Sequence, residues 1–263
     1  MKRAIILMYH IVDNPRDTSE EKYCCSVKNF ERQMRYLRQS AFSPVSLDIY
    51  ISSLRNNSPI PDNPIVITFD DGFEDFYRNA FPAAQKHDIP LTLFMVTEGI
   101  GGTNKWMHQR GKPKRKLLNQ NELLSCAKAG VTIGSHTLTH PRLTEVDDKT
   151  ANNEIKLSKM HLQDILQQEV KHFAYPYGLY DPNHLEIIEE AGYESACSTR
   201  SGFNRNNINL FELRRIEVYG SDTLWHFKQK LKFGTNDMTF LYPAQYYIER
   251  IMNNLTGKNN NVS

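Results

Sequence analysis

No run of the sequence approaches the ~20 consecutive apolar residues of a membrane span, so it offers no candidate transmembrane helix. Charge of one sign is lacking too. Thirty-two basic residues face 30 acidic ones, and a formal net charge of +2 argues for neither a nucleic-acid partner nor an anionic membrane surface. Cysteine is scarce: Cys24, Cys25, Cys126 and Cys197 show no CxxC spacing, and the adjacent pair is badly placed to bridge itself. A disulfide-stapled scaffold is thereby excluded. Buried free thiols are expected instead, which suits a reducing compartment and a cytoplasmic location. The apolar run Ala4–Tyr9 follows Lys2 and Arg3 as a signal peptide would begin, but it is too short for an h-region and lacks a small-residue cleavage site before the polar stretch at His10. It reads as a first strand. No internal repeat is visible.

What is present is a chain of 263 residues, 40% hydrophobic and 24% charged, the profile of a globular protein. Short apolar runs end in polar residues at Ala4–Tyr9, Pro64–Phe69, Leu91–Val96, Val131–Gly134, His172–Tyr175, Glu194–Ser198 and Leu213–Val218. Amphipathic segments at helical spacing lie between them: Phe30–Ser40, with Phe30, Met34 and Leu37 on one face, then Asn119–Ala129, Asp147–Gln168, Pro182–Ala191 and Thr223–Phe233. Asn119 with Glu122 three residues on predicts a capping box, and Gly130 a C-terminal stop. Strand alternating with helix predicts a single α/β domain over residues 1–256, a distorted (β/α) barrel of about seven parallel strands. The polar, Asn-rich residues 257–263 are expected to be a disordered tail. The Gly-, Lys- and Arg-rich stretch Gly99–Lys116, which holds Trp106, reads either as the rim of an active site or as a solvated connector.

Four motifs carry chemistry. Ile67-Thr68-Phe69-Asp70-Asp71-Gly72 sets two carboxylates where an apolar strand ends, with a glycine for a sharp turn; alone, Asp-Asp-Gly is a common turn sequence. Ser135-His136-Thr137-Leu138-Thr139-His140 follows another strand, and two imidazoles at this spacing suit a metal ion, although the hydroxyl residues could equally cap a helix. Phe173-Ala174-Tyr175-Pro176-Tyr177-Gly178 runs a strand into a stiff aromatic turn, and Met8-Tyr9-His10 puts a histidine at the end of the first strand. Each motif has a structural explanation by itself. All four fall at the C-terminal ends of predicted strands, where barrel enzymes gather their active sites. One carboxylate and two histidines make three metal ligands with an open position, leaving a second carboxylate and a third histidine for base and acid.

At this point the sequence resembles a known family, the polysaccharide deacetylases with a NodB homology domain (carbohydrate esterase family 4). Thr68–Gly72 matches the first family motif, Ser135–His140 the second, and Tyr175–Gly178 resembles the third; the likeness runs from roughly Ala4 to Phe233. The resemblance implies Asp70 as general base and Asp71, His136 and His140 as ligands of one divalent ion, with zinc the default and nickel, cobalt or iron suited to the same donors. Two departures stand out. Ala174 occupies the place where the family has an arginine that orients the base, and no C-terminal Leu-x-His is evident, since His226 lies inside a helical pattern. Both resemble the branch that deacetylates poly-N-acetylglucosamine. By that likeness His10 is the general acid and Arg215 takes over the missing arginine, the alternative for Arg215 being an ion pair at a strand end.

The implied activity is hydrolysis of an N-acetyl group from an N-acetylhexosamine-containing carbohydrate. Tyr175, Tyr177 and Trp106 are candidates for stacking on the sugar, or equally for packing the barrel mouth. Other readings stay open: a related amidase acting on a non-sugar amide, a non-catalytic sugar-binding member of the fold, or a structural metal domain. The full set Asp70, Asp71, His136, His140 and His10 argues against the second, and three ligands rather than four against the third. Oligomeric state, sugar linkage and polymer length cannot be read from the sequence.

Overall fold

The computed structural model describes residues 3–237. The expected domain end at residue 256 and the tail 257–263 lie outside the described residues. Nine strands are joined into one curled sheet: β1 Arg3–Tyr9, β2 Ser43–Pro44, β3 Pro64–Phe69, β4 Leu91–Met95, β5 Thr132–Ser135, β6 His172–Ala174, β7 Ser195–Cys197, β8 Asn204–Arg205 and β9 Ile216–Glu217. The parallel order runs β7-β6-β5-β4-β3-β1, with β2 beside the start of β3 and only β8 antiparallel, against the start of β1. The two ends of that order meet through one stretch of chain. Leu213 bridges Cys197 of β7, and three residues later β9 pairs with β1 through Leu7↔Ile216 and Met8↔Glu217. The expected strand Leu213–Val218 is thus a seam rather than a continuous strand, interrupted at Arg214 and Arg215. The distorted single-domain barrel is as expected.

The helices are α1 Val27–Gln39, α2 Leu47–Arg55, α3 Phe81–Gln85, α4 Lys105–His108, α5 Gln120–Lys128, α6 Asp148–Leu166, α7 Pro182–Glu190 and α8 Leu224–Phe233. α1 buries Phe30, Met34 and Leu37, and α5 begins with the Asn119/Glu122 capping box. Side chains alternate across each strand as a period of two demands. Ile5, Leu7 and Tyr9 of β1 pack outward under the helices with Ile65, Ile67 and Phe69 of β3, while Ala4 and Ile6 join Val66, Phe94, Ala174 and Cys197 in a separate inner cluster. Gly134 is required in that interior, because a Cβ there would lie 2.5 Å from the Phe94 ring.

α2, in a stretch where the sequence shows no expected element, closes the N-terminal end of the barrel. Its Leu47, Tyr50 and Ile51 complete the inner cluster, and Asp48 bonds Thr132 and His172 at the starts of β5 and β6. The opposite, C-terminal end is left for the site. No helix among the described residues is long and apolar enough to cross a membrane.

Candidate active site

A cavity of about 350 Å³ opens at the C-terminal ends of the strands and is lined by His10, Asp70, Asp71, His136, His140, Trp106 and Tyr177, among others. Seven of the nine residues expected at the site therefore share one space. Arg215 lies behind its wall, wholly buried, and reaches it through Asp70. Tyr175 is the exception. Strand alternation sends it to the outer face with Phe173, where it stacks on Tyr180 at 4.4 Å and its hydroxyl donates to the Phe211 carbonyl. It packs the barrel wall and does not reach the cavity, so the expected stacking role falls away.

Asp70 and Asp71 diverge because the backbone turns over immediately after β3. Asp70 is held in register by its N–H donating to the Tyr9 carbonyl at 3.0 Å. Asp71 takes φ +75 and Gly72 φ +80, a left-handed pair that swings the second carboxylate away from the first. Gly72 also needs its bare Cα, since a Cβ would lie 2.1 Å from the sulfur of Met95.

The histidine segment is bent in the same way, with Thr137 at φ +68 and His140 at φ +65. Glu154 of α6 holds the bend: its carboxylate accepts from the N–H groups of Leu138 and Thr139, both at 2.9 Å, and from the Thr139 hydroxyl at 2.6 Å. The result gathers Asp71, His136 and His140, whose ligand atoms lie within 4.8 Å of one another. Asp71 Oδ1 is 3.2 Å from His140 Nε2 and 3.6 Å from His136 Nε2.

These residues fit a divalent cation. His136 donates Nδ1–H to the carbonyl of Ala174 at 2.7 Å, which leaves its Nε2 lone pair facing Asp71. Burial pushes the His136 imidazole down to about 4, so it is neutral at pH 7 and ready to ligate. Burial by itself would raise Asp71, but the facing His140, His10 and His136 offset it and its carboxyl falls to about 2. Asp71 Oδ1 and His140 Nδ1 are both buried without a hydrogen-bond partner. A buried carboxylate beside a neutral imidazole is costly unless a cation compensates it.

Asp70 is compensated differently. Arg215 grips it with both arms, Nη1 to Oδ1 at 2.6 Å and Nη2 to Oδ2 at 2.8 Å, and is itself anchored through Nε to the Ser198 carbonyl at 2.9 Å. Burial opposes ionisation of Asp70 most strongly, but the charge and hydrogen bonds of Arg215, with His136 and His10, together outweigh it and hold the carboxyl below its usual value. Arg215 thus reaches Asp70 from the seam and forms a fully buried, two-armed ion pair with it.

His10 is half-buried, edge-on to Tyr23 at 5.3 Å, and close enough for its charge to bear on both Asp70 and Asp71. The segment behind it is clamped: Val12 N–H donates to Asp75 at 2.6 Å, and Asn79 donates to the Val12 carbonyl at 2.8 Å. Trp106 lies flat on His140 at 4.9 Å, and Tyr177, at φ +59, meets the same ring edge-on at 4.7 Å. The stretch Gly99–Lys116 accordingly forms the rim, and it contains α4. His226 caps the start of α8, accepting the Thr223 N–H on Nδ1, well away from the cavity-lining set.

Sequence reasoning missed Glu154, Asp75, Tyr23 and Glu217. The first two act through backbone groups and leave no motif; Tyr23 and Glu217 reach the cavity from segments that had been read for other reasons. The lysines and arginines of the rim were visible only as composition.

Two carboxylates and three histidines converge at the strand ends of an α/β barrel, where such folds carry their active sites. The sequence profile of the family described as "Polysaccharide deacetylase" matches residues 57–196, more than half of the chain, and the chain belongs to that family. It is 25% identical over 213 residues to YxkH of Bacillus subtilis strain 168, covering 81% of this chain and 70% of that protein. It is 26% identical over 207 residues to the poly-β-1,6-N-acetyl-D-glucosamine N-deacetylase of Staphylococcus aureus strain MRSA252, covering 75% of this chain and 69% of the relative. Two solved structures share its fold. The Streptococcus pyogenes deacetylase PplD has TM-score 0.75 at 24% identity, covering 87% of this chain and 98% of that one. IcaB from Ammonifex degensii has TM-score 0.73 at 22% identity, covering 89% and 97%.

Proposed function

We propose that this enzyme hydrolyses the N-acetyl group of an N-acetylhexosamine unit within a carbohydrate, releasing acetate and leaving a free amine. The observation that carries the reading is the separation of tasks within one cavity: Asp71 with His136 and His140 as a ligand trio, Asp70 held ionised by Arg215 as a base, and His10 as a third, independent histidine. A divalent ion bound by the trio, zinc by default, would polarise the acetyl carbonyl and make the attacking water easier to deprotonate. Asp70 accepts a proton from that water as its oxygen attacks the carbonyl carbon. The backbone N–H of Tyr177 is the candidate donor to the developing oxyanion. His10, protonated, gives its proton to the nitrogen as the C–N bond breaks, without which the tetrahedral species returns to the amide. Trp106 and the unpartnered Tyr177 hydroxyl supply an apolar wall and a hydrogen-bonding group for the sugar.

The test is acetate release from N-acetylglucosamine oligomers by wild type, with chelator and with added zinc, against Asp70→Asn. Release that needs the metal and vanishes in Asp70→Asn is the expected result. Absence of release from protein holding one metal per chain would favour a different amide substrate. Absence of both release and bound metal would overturn the catalytic reading in favour of a sugar-binding protein.

A further inference from the structure

The cavity mouth is basic beyond anything the hydrolytic step needs. Two aromatic posts flank the reacting groups, Tyr177 against His140 on one side and Tyr23 against His10 on the other. Each carries two cations. The guanidinium groups of Arg110 and Arg142 stand 4.8 and 4.9 Å from the centre of the Tyr177 ring, and the ammonium groups of Lys112 and Lys22 stand 5.3 and 5.4 Å from that of Tyr23. All four line the cavity.

Their compensation is thin. Lys22 pairs with Glu217 at 3.5 Å, and Arg142 pairs with Glu145 at 3.1 Å, outside the cavity lining. Among the described residues Arg110 and Lys112 make no ion pair, although Lys112 donates to the Ser19 carbonyl. The cavity carboxylates do not balance them either, because Asp70 is answered by Arg215 and Asp71 belongs to the ligand trio. Within the cavity lining Glu217 is the one carboxylate left to these cations, Glu145 beside Arg142 and Asp17 near Lys112 lying outside it. Such a rim attracts anions and repels the ammonium group that deacetylation creates. A neutral glycan gives it nothing to bind, and one already rich in free amines is disfavoured.

We propose, building on the deacetylase reading, that the natural substrate is an acidic glycan, in which the N-acetylhexosamine to be cleaved neighbours a phosphodiester or a carboxylate. The Arg110 and Arg142 forks suit either group, since a guanidinium matches two oxygens of a planar or tetrahedral anion. Both guanidinium groups stand against Tyr177, whose ring centre is 4.7 Å from that of His140, so an anion held there lies beside the reacting unit. The amine formed at the reacting unit then meets like charge, which favours its departure.

The experiment compares kcat/KM of the zinc-loaded enzyme on three tetrasaccharides: a neutral N-acetylglucosamine tetramer, the same tetramer phosphorylated on one O6, and an alternating N-acetylglucosamine–glucuronate tetramer. One or both acidic substrates are expected to lead the neutral one by about tenfold or more at low ionic strength. The lead should shrink towards parity at about 0.5 M salt and in the double variant Arg110→Gln/Lys112→Gln. A lead confined to the phosphorylated tetramer assigns phosphate, and one confined to the uronate assigns carboxylate. Equal kcat/KM for all three overturns the proposal while leaving the deacetylase reading intact, as does an acidic lead that neither salt nor the double variant reduces. Should none release acetate, calorimetric binding to Asp70→Asn decides: tighter binding of an acidic tetramer upholds anion recognition although the amide chemistry falls, and equal binding removes both.

Discussion

Arg215 and Asp70 form a two-armed ion pair, at 2.6 and 2.8 Å, between side chains that are 0% and 3% exposed. The arginine holds the base ionised and fixes its orientation together. A lysine cannot make both bonds, so Arg215→Lys should lose roughly 10²-fold in kcat through a misplaced base. The lysine keeps the unit charge but gives up one of the two hydrogen bonds that favour the ionised carboxylate, so the Asp70 pKa rises and the acid limb of the kcat/KM profile moves to higher pH. A variant that loses activity uniformly at every pH would contradict this role for the arginine. Arg215→Met, which strands a buried carboxylate, should instead cost about 3–5 kcal/mol of stability.

Glu154 touches no ligand atom, yet it fixes the bend that carries His136 and His140. Glu154→Gln keeps one oxygen for the two N–H groups but puts an NH2, which cannot accept, where the other oxygen takes the Thr139 hydroxyl, and it removes the charge that strengthens all three bonds. Zinc affinity, measured by competition with a chromogenic chelator, should fall by about 10–100-fold, the usual effect of removing an outer partner of a metal site. Unchanged affinity would show that the bend holds without the carboxylate.

Trp106 lies at 20° to the His140 ring with 4.9 Å between centroids, so it reports on whatever His140 binds. Chelation followed by zinc titration should change tryptophan emission with a one-to-one endpoint. The response should vanish in Trp106→Phe, in which Trp225 is the remaining tryptophan. A response that survives in Trp106→Phe would move the effect to another site.

Asp75 gives a pH dependence of stability. Burial raises its carboxyl to about 7 despite the bond from Val12 N–H. The unfolded value is about 3.9, so the folded state binds the proton more tightly. Stability from this group is complete below the unfolded value and is lost as pH rises through about 7. Asp70 and Asp71, both lowered, act in the opposite sense and lose their contribution only under acid. Urea midpoints should therefore decline between about pH 5 and about pH 8 in wild type, and less so in Asp75→Asn, whose amide oxygen can still accept from Val12. Parallel slopes would exclude Asp75 as the source.

The parts of the molecule legible in sequence are those set by local pattern. β3 spans Pro64–Phe69 as its apolar run suggests, and α5 starts on its capping box because Asn119 and Glu122 lie within one turn. The cluster of Asp71, His136 and His140 was legible because Asp71 follows the end of β3 and both histidines sit in the short segment after β5. Less was visible where distance along the chain matters. Nothing in Leu213-Arg214-Arg215-Ile216 shows that the chain crosses from β7 to β1 there, and only that crossing drives Arg215 into the interior. Tyr175 misled for a related reason: the turn motif draws attention to both tyrosines, but one residue of strand alternation puts Tyr175 outside and the left-handed turn at Tyr177 brings its ring in. α2 escaped notice because its role, plugging the barrel floor, is defined by the six strands above it.

The seam between Leu213 and Glu217 makes the barrel's closure and the arming of its base a single event. Until that stretch of chain lies between β7 and β1, Asp70 lacks the guanidinium that offsets its burial in the closed barrel. The cluster of Asp71, His136 and His140, by contrast, follows β3 and β5 and owes nothing to the seam. One stretch of chain therefore both shuts the wall between β7 and β1 and delivers the counter-charge of Asp70.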